Sequence, residues 1–102
     1  MKRMALLHLS SFTSITFLSS PDTADTCRVE LEQMLIYHEK IEIDFHNVHV
    51  TQGFIEHLFE PLFLKRGMVL FDRLFFANCS ESVDLTINKV INSYRETSLS
   101  TD

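Results

Sequence analysis

Lys40–Phe59, KIEIDFHNVHVTQGFIEHLF, changes its apolar period from that of a strand to that of a helix within a few residues. Ile41, Ile43 and Phe45 alternate with Glu42 and Asp44, the pattern of a strand with one face in a core and the other near water. Phe54, Ile55, Leu58, Phe59 and Leu62 then recur with the spacing of an amphipathic helix stripe. Between the two lies a polar loop holding His46, Asn47, His49, Thr51 and Gln52. A strand that passes into a helix through such a loop gathers polar side chains and free backbone N–H groups at one sheet edge. There α/β domains commonly carry their function.

On the N-terminal side, Met4–Leu9 reads as a first strand with Ala5, Leu7 and Leu9 on one face, and Ser14–Leu18 as a second in which Ile15 and Phe17 alternate with Ser14 and Thr16. The four residues between them suit a hairpin. Pro21 ends this segment, and Asp22 or Thr23 caps a helix with Cys27, Leu31, Met34 and Leu35 on its buried stripe, ending near His38. On the C-terminal side, Pro61 removes a backbone donor inside the helical pattern and predicts a kink or break. Gly67 suits a helix terminus in the left-handed conformation, and Arg73–Asn78 reads as a fourth strand. Ser80 or Ser82 caps a last helix with the stripe Val83, Ile87, Val90, Ile91 and Tyr94. The expectation is an α/β fold of order ββαβαβα, an about four-stranded mixed sheet with helices mainly on one face. Residues 1–96 form its single domain, and 97–102 a flexible C-terminal tail.

Length and composition agree with one ordered domain: 102 residues, 45% of them hydrophobic, with nine Phe but only two Gly and two Pro. The formal charge of −5, with Lys and Arg scattered, argues against nucleic acid, whose binding gains free energy from counterions released by basic side chains. Cys27 and Cys79 are too few for a disulfide scaffold and read as free, buried thiols in a reducing compartment. Lys2-Arg3 followed by Met4–Leu9 imitates the start of a secretory signal, but His8 and the serines after it interrupt the apolar run. No apolar run approaches the roughly 20 residues of a membrane span. The chain is expected in the cytoplasm, off the membrane.

The strand IEIDFHNV ending in Asp44, the short polar loop, the hydroxyl of Thr51 and the helix opening at Gln52-Gly53-Phe54 together resemble the STAS domain, the fold of anti-sigma-factor antagonists and of sulphate-transporter tails. They are most similar to its bacterial STAS-like branch. RLFFAN before a Val- and Ile-rich helix fits the same resemblance, which covers most of the chain. It implies a regulatory protein-interaction module whose partner is an ATPase of the histidine-kinase type. In such antagonists that partner phosphorylates a Ser at the start of the helix corresponding to the one after Asp44. The family's Asp-Ser-Ser-Gly pattern is absent here, and Thr51 is the one hydroxyl in the loop, so Thr51 is the candidate phosphorylation site and binding without phosphorylation is expected.

The residues themselves favour binding over catalysis. His46, His49 and His57 with Glu56 offer metal-type donors, but His-x-x-His in a loop has no fixed geometry, so neither metal nor cofactor is expected. No Ser or Cys nucleophile accompanies Asp44, and the two glycines make no phosphate loop, so no catalytic residue is assigned. The expected partner-binding residues are His46, Asn47, His49, Thr51, Gln52, Gly53, Glu56 and His57. Phe63, Met68, Val69 and Phe71, in the Phe-rich segment around Pro61, suggest an exposed apolar patch for a partner or a homodimer. An alternative use of the same fold is a small acidic inhibitor, such as an antitoxin, immunity protein or phage-borne antagonist, covering a basic surface with Glu30, Glu32, Glu42 and Asp44.

Overall fold

The computed structural model describes residues 4–12 and 17–99. Three parallel strands form the main sheet: β1 (Ala5–His8), β3 (Ile41–Asp44) and β5 (Leu74–Ala77), with β3 in the centre. A separate parallel ribbon pairs β2 (Phe17–Leu18) with β4 (His49–Val50). The helices are α1 (Pro21–Tyr37), α2 (Gln52–Arg66) and α3 (Glu81–Leu99), with 3-10 turns at Leu9–Phe12 and Met68–Arg73. The chain is thus an α/β domain, but the expected single four-stranded mixed sheet is replaced by these two small parallel sheets, in the order ββαββαβα.

Among the described residues the expected hairpin pairing of the first two strands is absent. A 3-10 turn follows β1, and Phe17 and Leu18 pair instead with His49 and Val50, two residues that the sequence suggested were loop. Burying Leu18 and Val50 gives this ribbon its anchor. Ser14–Thr16 of the expected second strand lies outside the described residues.

The strand alternation sorts the main sheet into two faces. In register, Ala5, Ile41 and Leu74 lie side by side, as do Leu7, Ile43 and Phe76; Leu6, Glu42 and Phe75 alternate with them. The first two rows are buried or half-buried and join a core that includes Cys27, Leu31 and Leu35 of α1, Phe54, Ile55, Leu58, Phe59 and Leu62 of α2, and Val83, Ile87 and Val90 of α3. On the other face Leu6 stays 48% exposed and Phe75 39%, the latter with the Lys40 ammonium 5.6 Å from its ring centre. Parallel strands need crossovers, and here the crossover helices cover one face only.

Local chemistry sets the helix ends. Pro21 does not precede α1 but occupies its first turn, where its missing N–H is no loss, and Ser20 rather than Asp22 or Thr23 caps it. At the other end Arg73 donates from Nη2 to the Leu35 and His38 carbonyls, at 2.6 and 2.7 Å, and from Nε to the Glu39 carbonyl at 2.9 Å. One guanidinium thereby satisfies the Leu35 and His38 carbonyls at the α1 C-terminus, and the Glu39 carbonyl just beyond it, and ties them to the start of β5. Helix α2 runs unbroken through Pro61, because Pro61 and His57, whose carbonyl loses its helical donor there, are both exposed and that carbonyl can turn to water. Gly67 ends α2 with φ 77° and ψ −171°, a positive-φ backbone that favours glycine, though not the left-handed helical conformation expected. Ser80 caps α3 by accepting from the Val83 N–H at 3.2 Å. Helix α3 continues to Leu99, into the stretch expected as tail, and residues 100–102 lie outside the described ones.

The surplus of phenylalanines is packing. Ring contacts run from Phe45 to Phe76, Phe59, Phe71, Phe63 and Tyr94, the last pair stacked at 4.6 Å and 9°. Phe63, Met68 and Phe71 are therefore half-buried against the core, and of the expected apolar patch only Val69 is exposed. No helix among the described residues is long and apolar enough to cross a membrane.

Two positions test this packing and one tests the α1 terminus, all by urea unfolding. Ile43→Ala should cost about 2–5 kcal/mol through lost burial and a residual cavity, while Glu42→Ala, one residue away on the open face, should cost less than about 0.5 kcal/mol. Arg73→Ala should cost about 1.5–3 kcal/mol, the loss expected when carbonyls surrender a charged donor.

Candidate functional site

Parallel register brings the carboxyl ends of β1, β3 and β5 to one rim, aligning His8, Asp44 and Ala77. Asp44 is the hub there, its side chain only 13% exposed. Its Oδ1 accepts from the Asn78 side-chain amide and from the His46 backbone N–H, each at 2.9 Å, and its Oδ2 lies 2.9 Å from His8 Nδ1. The Asn78 hydrogen bond is the largest influence holding the carboxyl below its usual range, and burial opposes it in part; the His46 N–H and His8 add to the lowering. Asn78 reaches Asp44 from a left-handed backbone, φ 57°, which asparagine tolerates. The cluster ties three strand ends together and fixes the direction in which the chain leaves β3.

Beyond Phe45 the chain bends tightly. Val48 donates to the Phe45 carbonyl at 3.2 Å across a turn whose Asn47 has φ 62°. Strand β4 comes next, and Thr51 then donates its N–H to the Leu18 carbonyl at 3.1 Å while its Oγ1 accepts from the Phe54 N–H at 3.1 Å as the cap of α2. His46, Asn47, His49, Gln52, Gly53 and His57 are exposed, whereas Thr51 and Glu56 are half-buried. The bend therefore presents polar side chains on a backbone held at His46, Val48, Thr51 and Phe54. His49 stands beside Phe17, its register partner, and Gln52 donates to Glu56 at 3.0 Å along α2.

The predicted residues do not all share one surface. Gln52 and Glu56 turn toward α3: Gln52 lines a depression with Glu81, Ser82, Leu85, Thr86 and Lys89, and Glu56 a second one farther along. Among the described residues no group of three or more His, Cys, Asp or Glu side chains converges as metal ligands would. Burial pushes the Cys27 thiol up to about 12, and burial, then the negative charges of Asp84 and Asp44, raises that of half-buried Cys79, so neither supplies a ready thiolate nucleophile. The four carboxylates of the inhibitor alternative are divided. Glu30 and Glu32 lie on α1, Glu32 engaged by Arg28 and Lys65, while Glu42 and Asp44 belong to the open sheet face.

Sequence reasoning did not assign His8 or Asn78 to this rim. Each is an ordinary polar residue at the end of an apolar run, and only parallel pairing makes them neighbours of Asp44.

The Asp44 cluster has a pH signature. A carboxyl lowered on folding stabilises the native state fully above its unfolded value near 3.8, and that contribution fades as pH falls from there through the folded value. Asp44→Asn should therefore lower the urea midpoint at pH 7, and the gap to the parent protein should narrow steadily below pH 3.8. A gap of constant size down to acid would show that the carboxylate charge is not what the cluster uses.

Comparison with known protein families, with curated proteins and with solved structures finds no match to the chain.

Proposed function

We propose that this chain is a non-enzymatic, STAS-like regulatory module of the cytoplasm that binds a protein partner through the bend His46–Gly53 and the first turns of α2. The observation that carries this reading is the preorganised bend. Exposed His46, Asn47, His49 and Gln52 sit on a backbone held by the Asp44 carboxylate, the Phe45 and Leu18 carbonyls and the Thr51 cap. Side chains displayed on a fixed backbone lose little further conformational freedom on binding, so more of each contact's free energy appears as affinity. Support also comes from the parallel α/β frame with its helices on one face and from the sequence likeness around IEIDFHNV.

A regulatory ATPase of the histidine-kinase type is the partner class that the likeness suggests. The Thr51 hydroxyl accepts from the α2 backbone, so a phosphate added there would have to take over the cap as well as add charge. Binding of the unmodified chain is accordingly the state proposed.

Replacement of Asn47, His49, Gln52 and His57 together by Ala tests the placement, with capture of the partner from the native host as the readout. The expected result is a loss of affinity of about tenfold or more, the effect of removing at least one strong contact, with an unchanged circular dichroism spectrum. Undiminished capture of the same partner by the folded variant would refute it.

A further inference from the structure

The helices cover one face of the main sheet and leave the other open, although parallel sheets occur almost only with both faces buried. Three rows cross the open face. Met4 lies level with Lys40, one residue before the pair Ala5 and Ile41; Leu6, Glu42 and Phe75 stand side by side; His8, Asp44 and Ala77 close the carboxyl end. Met4, Leu6 and Phe75 are all exposed, so the apolar content of this face is still in contact with water.

The charges on the face fit a second copy of the same face. His8 and Asp44 satisfy each other at the rim, and Arg73 is engaged with the α1 carbonyls. Lys40 and half-buried Glu42 remain: among the described residues neither forms an ion pair, and the Lys40 ammonium lies over the Phe75 ring instead. They occupy alternate positions along the central strand, so they leave the same face about 7 Å apart. Covering Leu6 and Phe75 also takes water from the carboxylate between them. Whatever covers the face must therefore bring a cation to Glu42 and, at the same spacing, an anion to Lys40. A second copy turned end for end carries both. Sheets packed face to face keep their strands within about 30° of one another, and a two-fold axis lying between the sheets and across the strands sets β3 antiparallel to its counterpart. With that axis level with Ile41, Lys40 of each copy meets Glu42 of the other, and Leu6 of each meets Met4 of the other. An axis along the strands would set Glu42 against Glu42, which like charge disfavours.

We propose that the open sheet face is a homodimer interface in which two copies stack with β3 antiparallel and Lys40 of one on Glu42 of the other. This goes beyond the reading of the bend as a partner site and does not depend on it. Three strands spaced about 4.8 Å apart and four residues long present a face of roughly 14 by 13 Å, far short of the ~800 Å² that each partner contributes to a stable interface. The dimer is therefore weak and concentration-dependent, and the monomer prevails in the low micromolar range.

Sedimentation equilibrium of the full chain from about 10 µM to about 1 mM tests this, with circular dichroism at the lower concentration to show that each variant is folded. The parent should pass from monomer to mostly dimer across that range. Glu42→Lys and Lys40→Glu each set like charges against one another at both symmetry-related contacts, and each should weaken self-association at least about tenfold. An equimolar mixture of these two variants should associate as strongly as the parent, because each supplies the charge that the other lacks. Leu6→Lys should weaken the dimer to a similar degree. A parent that stays monomeric at about 1 mM, single charge variants that associate as the parent does, or a mixture that remains monomeric would overturn the proposal. So would a monomeric parent that captures a host protein which Leu6→Lys fails to capture, since the face would then belong to a foreign partner. The alanine variant of Asn47, His49, Gln52 and His57 should dimerise as the parent does; loss of the dimer in that variant would place the contact at the bend and refute the sheet face.

Discussion

Burial of Ile41, Ile43 and Phe45 against the helices is the constraint on which the remainder of the structure depends. Strand β3 has a parallel neighbour on each side, and parallel neighbours cannot be joined by tight turns, so α1 and α2 exist as the crossovers that parallel pairing demands. Their apolar stripes meet the buried rows of the sheet, and α3 closes the layer beside α2. The same alternation that buries Ile41 and Ile43 turns Glu42 and Asp44 to the other side. It thereby puts a carboxylate at the carboxyl end of the central strand, between the ends of both neighbours.

From that carboxylate the candidate site is built in order. Asp44 collects His8, Asn78 and the His46 N–H, and the chain must then turn at Asn47, pair briefly with β2 and enter α2 under the Thr51 cap. Gln52 belongs both to the exposed bend and to the depression between α2 and α3, and it donates to Glu56 farther along α2. The open sheet face, with Leu6 and Phe75, lies away from the helices that form that depression.

Local periodicity was the part of the fold legible in the sequence. The change of period after Phe45, the buried stripes of all three helices and the division of β3 into a wet and a dry side can each be read from neighbouring residues. The pairing of β2 was not legible, because its partner β4 is two residues long and distant in sequence, while the short gap after Leu9 mimics a hairpin. Arg73 reads as one more scattered cation, since its carbonyl partners on α1 become neighbours only when β5 docks against β3. Tyr94 looked like one more stripe residue, and its stripe position was correct. The residues of the bend were identifiable as polar and loop-like, but their exposure and the fixed backbone beneath them are tertiary properties.

The bend and the rim both require β3 to be the central strand of the core. Native-state amide hydrogen exchange measures this most directly, because an opening that frees a central strand must disrupt both neighbours and the helices above. The amides of Ile41–Asp44 should exchange only through global unfolding, with an opening free energy equal to that from urea denaturation, and the β2–β4 ribbon should open at lower cost. Exchange at Ile41–Asp44 as fast as in the neighbouring bend would contradict the architecture and every inference built on it.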